Sequence, residues 1–116
     1  MKRKIAIALP AVALLSSTAA AGQSLIAKNW MKVDENHAQL QHEGQDYVLD
    51  SYVVPFQQPY YIHVRLKDGQ PLDTSRTEAV AEDYIKPRGC TEPLVRRKDL
   101  DRSSNDGREQ VLGYQC

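Results

Sequence analysis

The stretch YYIHVRLKDGQ, residues 60–70, alternates without a break: Tyr60, Ile62, Val64 and Leu66 fall on one side, Tyr61, His63, Arg65 and Lys67 on the other. A period of two marks a strand with one face in a core and the other toward water. Lys67-Asp68-Gly69-Gln70 then supplies the residues of a turn. A strand of this kind needs partners at its edges and a cover over its apolar side, so the flanking segments must provide both.

Upstream, HAQLQHEGQDYVLDSYVV (residues 37–54) reads as a hairpin. Ala38 and Leu40 alternate with polar residues, Gly44 marks the turn, and Tyr47 to Val54 is rich in β-formers. Asp50-Ser51 interrupts the second arm and predicts a bulge or bend there. The prolines of PFQQP, residues 55–59, end the arm because neither can donate to a ladder. Further upstream, residues 22–32 (GQSLIAKNWMK) are too few to establish a period; Leu25, Ile26 and Trp30 are compatible with one face of a helical turn, and Trp30, the only tryptophan, is expected to cover one edge of the core.

Downstream, LDTSRTEAVAEDYIKPRGC (residues 72–90) reads as the covering helix. Asp73, Thr74 and Ser75 are all suitable N-caps, Ser75 with Glu78 fits a capping box, and Thr77, Val80, Ala81 and Tyr84 form an apolar stripe beside Ile85. Pro87 and Gly89 end it. The next 23 residues, Pro87 to Glu109, are polar and predict a connection with at most a short helical turn near 93–101 and an exposed turn at SSNDG. Gln110 to Cys116 is the last strand, with Leu112, Tyr114 and Cys116 on one face. The expected fold is therefore α+β: a small antiparallel sheet in β-β-β-α-β order, one helix packed on one face, and a single disulfide.

The disulfide expectation comes from the start of the chain. Lys2, Arg3 and Lys4 precede the apolar run Ile5 to Leu15, and Ala19-Ala20-Ala21 gives a small-residue exit. That pattern predicts a secretory signal peptide over residues 1–21 and a single domain over 22–116, periplasmic or secreted. The apolar run is shorter than the roughly 20 residues a membrane-spanning helix requires. In an oxidising compartment Cys90 and Cys116, the only cysteines, would pair across a loop of 27 residues. Such a bridge contributes about 3 kcal/mol in the loop-entropy account.

The whole chain carries 15 basic and 15 acidic residues. Without Lys2, Arg3 and Lys4, the remainder has 12 Lys+Arg against 15 Asp+Glu, a net charge of −3. Mild acidity gives no reason to expect a nucleic-acid partner. No phosphate-cradling loop, nucleophile elbow, metalloprotease helix or cofactor motif occurs, so no cofactor is expected.

Three groups of residues are candidates for chemistry. His37, His42 and His63 would make a metal site only if the strands bring them together, since their spacing forces nothing. Arg88, Arg96, Arg97, Lys98 and Arg102 form a basic run that could meet an envelope protein or an anionic envelope component; a solvated surface is the plainer account. Tyr61 beside Arg65 could anchor a contact on the polar face. Ser51, His63 and Asp50 have the residue types of a hydrolytic triad, as chance alone would supply. The leading expectation is an exported, non-enzymatic interaction module, an inhibitor or accessory of an envelope protein. A histidine-based metal or small-ligand carrier and an enzyme with an unrecognised site are the alternatives. The sequence specifies no oligomeric state.

Overall fold

A computed structural model describes residues 24–89 and 93–116. Six strands form one antiparallel sheet: β1 Met31–Lys32, β2 Ala38–His42, β3 Gln45–Val53, β4 Tyr60–Leu66, β5 Val95–Ser103 and β6 Glu109–Gln115. Among the described residues one α-helix, α1 Thr74–Ile85, lies between β4 and β5 in sequence. The spatial order is β1-β3-β4-β6-β5, with β2 also on β3, so β1 and β2 follow one another along the same edge.

The β2–β3 hairpin turns through Glu43 and Gly44, both at positive φ (50° and 80°). Two such residues match the right-handed twist of the strands. Register then runs unbroken from Tyr47↔Leu66 to Val53↔Tyr60, so the bulge expected at Asp50-Ser51 does not form. Both residues are buried and both find partners: Ser51 toward α1, Asp50 on the opposite face. Satisfied polar side chains let the ladder continue.

Alternation puts Tyr47, Leu49, Ile62, Val64, Leu66, Leu112 and Tyr114 on one face, and α1 covers it with Val80, Ala81, Tyr84 and Ile85. The helix begins at Asp73, whose carboxylate accepts the Arg76 backbone N–H at 3.2 Å. Ser75 thus lies inside the helix, and the expected Ser75–Glu78 box is displaced by a cap two residues earlier. A 3-10 turn, Lys86–Arg88, and Gly89 at φ 144° end the segment. Where the chain passes between β1 and β2, Asn36 donates to Ser51 Oγ (3.0 Å) and the Arg88 carbonyl (3.3 Å). The Tyr84 hydroxyl donates to the Asn36 carbonyl, so this buried polar node joins the edge to the helix end.

The expected architecture needs correction. Three strands, then a helix, then one strand becomes four strands, the helix and two strands. Met31–Lys32, in a segment too short to show a period, pairs with Val53 and Tyr52. Most of the supposed connection is β5, which pairs with β6 from Val95↔Gln115 to Ser103↔Gln110. The disulfide expected between Cys90 and Cys116 involves a residue that is not described, Cys90. The Cys116 sulfur is 3.8 Å from the Gly89 carbonyl oxygen. The proposed signal peptide, residues 1–21, also lies outside them. Among the described residues no helix is long and apolar enough to cross a membrane.

Candidate functional site

The sheet face away from α1 carries a row of charged side chains crossing three strands. Asp50 and His63 are directly opposed on β3 and β4, and Arg65 opposes Glu109 on β4 and β6. The Asp50 carboxylate accepts from His37 Nδ1 at 2.7 Å and lies 3.6 Å from Lys32 Nζ and 3.5 Å from Arg65 Nη1. His63 Nε2 is 2.8 Å from Glu109 Oε1, while its Nδ1 is 3.2 Å from Arg65 Nη1. An arginine can only donate, so His63 Nδ1 accepts and the ring is neutral, with its proton on Nε2. Burial lowers the His63 pKa below the usual 6.5, against the opposing hydrogen bond to Glu109. Burial would raise the Asp50 pKa, but His37, Lys32 and Arg65 outweigh it and hold the carboxyl below its ordinary value.

This row is internally satisfied. Ser51 faces α1, across the sheet from Asp50 and His63, so the three do not assemble as a triad. His42 lies at the hairpin end, 3.7 Å from Glu43, apart from the contacts of His37 and His63. Among the described residues no three metal-ligating side chains converge.

Tyr61 shares this face, but it is not bare. Trp30 stacks on it with ring centres 4.0 Å apart, and the Arg102 guanidinium sits 4.5 Å from the Trp30 ring centre. Arg102 also donates to the Leu25 carbonyl at 2.9 Å, fastening the segment before β1 across the sheet. Trp30 therefore covers the outer face, not an edge of the core.

The basic run is dispersed along and beside β5. Arg96 turns toward α1, donating to Glu78 at 3.0 Å and gripping both Asp101 oxygens at 2.7 Å. Burial disfavours its charge, yet Asp101 and Glu78 hold the guanidinium protonated, raising its pKa. Arg97 forks onto Asp99 and reaches Gln115. Arg88 donates to the Tyr84 carbonyl and stacks on its ring. Lys98 alone of the five makes no hydrogen bond, ion pair or ring contact among the described residues.

Between Arg97↔Gly113 and Arg102↔Val111 the β5 chain advances five residues while β6 advances two. The extra length is a wide bulge over 98–101. Asp101 accepts the Gly113 N–H at 3.1 Å, and Arg96 donates to the Gly113 carbonyl at 3.1 Å, replacing the ladder bonds lost there. A bulge and a crowd of charges are what shield an outer strand from pairing with a foreign chain.

The opposite edge has neither. β2, AQLQH, pairs with β3 in continuous register from Ala38↔Leu49 to His42↔Gln45, without proline, bulge, lysine or arginine. Gln39 and Gln41 are exposed, and among the described residues no strand covers the outer side of β2. Its outward backbone groups are left for water or a partner. Beside it a cleft of about 370 Å³ opens toward α1, with Leu40, Val80 and Pro87 in its lining and His42, Asp83 and Arg88 around them. No motif in the sequence marks this site. Its one visible signal was the neutral alternation of Ala38, Leu40 and His42 with glutamines. No protein-family model, curated protein or solved structure matches the chain.

Proposed function

We propose that the chain is a small exported protein of the cell envelope, periplasmic or secreted, that acts as a non-enzymatic interaction module. Its contact surface is the β2 edge with the adjoining cleft. The supporting observation is the contrast between the two sheet edges: β5 is bulged and charged, whereas β2 is straight, neutral and bordered by a helix. Such an edge offers backbone hydrogen bonds for affinity and a cleft for selectivity. With four of the five basic side chains engaged inside the fold, an envelope protein is favoured over an anionic envelope component.

A photo-crosslinking side chain placed at Gln41, and separately at Lys98, tests the surface in cells. Both positions are exposed. Adducts from Gln41 and none from Lys98 are expected; the reverse pattern would overturn the reading. The export half stands on residues 1–21, and the expected mature terminus is near Gly22. Intact mass of protein recovered from the envelope tests it, and a chain still beginning at Met1 would refute it.

A further inference from the structure

We infer that the partner received at β2 is an extended, cationic peptide segment, which adds as a further strand and seats an apolar side chain between β2 and α1. This rests on the interaction-module reading and specifies its ligand. In an added strand every second side chain points to the same face, about 6.6–6.8 Å apart. Those on the α1 side would continue the row Ala38, Leu40 and His42 and meet the cleft lined by Leu40, Val80 and Pro87. Its volume lies near the lower end of the range for ligand pockets. That suits one bulky side chain with neighbours along the rim.

Charge selects among such segments. Asp34 and Glu35 lie in the 3-10 turn ahead of β2, Asp83 borders the cleft, and none of the three has an ion-pair partner among the described residues. The nearby arginines are engaged: Arg76 holds Glu43 at 3.1 Å, and Arg88 is turned onto Tyr84. Lys86 is the remaining exposed cation at the helix end. The edge is thus bordered by more free carboxylates than free cations, and basic residues in the incoming segment would be drawn to it. A second copy of the chain would instead add its own Asp34, Glu35 and Asp83 to the same interface.

The test is a titration of the mature chain, followed by backbone amide resonances, with three nine-residue peptides. They share one alternating pattern of leucine and valine and carry lysine, serine or glutamate at the intervening positions. The lysine peptide is expected to shift the amides of Ala38–His42 and Val80, with affinity at least about tenfold above the serine peptide and falling with salt. The glutamate peptide should leave them unmoved. A Gln39→Lys/Gln41→Lys variant, its own spectrum confirming the fold, should lose the response. Equal shifts from all three peptides would overturn the cationic class and leave the edge standing. Shifts from none of them would overturn both. Shifts that grow with protein concentration alone would identify a second copy as the occupant and overturn the peptide.

Discussion

A methyl group on Gly113 would sit 2.6 Å from the Arg97 carbonyl oxygen and 2.7 Å from Leu100 Cβ, because the β5 bulge folds Leu100 directly over β6. One of those obstacles is backbone and cannot rotate away. Gly113→Ala is expected to cost about 1–3 kcal/mol, the usual range for overpacking, read as a lower urea midpoint with an unchanged slope. Nothing in VLGYQC announces this constraint, since it depends on a residue 13 positions away. His63 is the second informative residue. Its pKa lies below the ordinary 6.5, so the unfolded chain takes up this proton at a higher pH than the folded chain. The associated stability is complete above about pH 6.5 and is lost as pH falls toward the folded value. Asp50, held below its ordinary 3.8, adds a second loss in more acid solution. Thermal midpoints measured from pH 8 to 3 should show both declines, and His63→Gln should flatten only the upper one. A midpoint independent of pH between 7 and 5 would contradict the buried neutral ring.

At the scale of elements, the strands and helix that carry their own periodicity were readable: β4 from strict alternation, α1 from its stripe and Asp73. β5 was not. Six charged residues between Arg96 and Arg102 hide any period, and what makes the segment a strand is its distant partner β6 together with the Arg96–Asp101 fork. Strand preference depends on such surroundings more than helix preference does. Asp101→Ala tests the fork. It leaves Glu78 as the one carboxylate paired with Arg96 and strips an acceptor from the Gly113 N–H. A loss of about 1.5–3 kcal/mol is expected, the range for hydrogen bonds to charged groups, with faster hydrogen exchange at Gly113 than at Leu112. Unchanged exchange at Gly113 would mean that the bulge is held by other contacts. β1 escaped notice for a related reason, since two residues paired to Val53 and Tyr52 are too few to show a pattern.

At the scale of the whole molecule, among the described residues one side of the sheet is roofed by a helix; the other is closed by ion pairs and by Trp30 lying over Tyr61. Periodicity forecast the layer of helix on sheet but not the candidate site, because an edge is a property of strand order and no local stretch encodes it. The asymmetry between β5 and β2 carries a further consequence for assembly. Filament growth by strand pairing requires that every unit be receptive at both ends. Here the sheet can be lengthened past β2 but not past β5, so each newcomer caps the array it joins. Complexes should therefore stop at one added strand per molecule, and sedimentation of the protein with excess lysine peptide should reveal a finite species and no fibres.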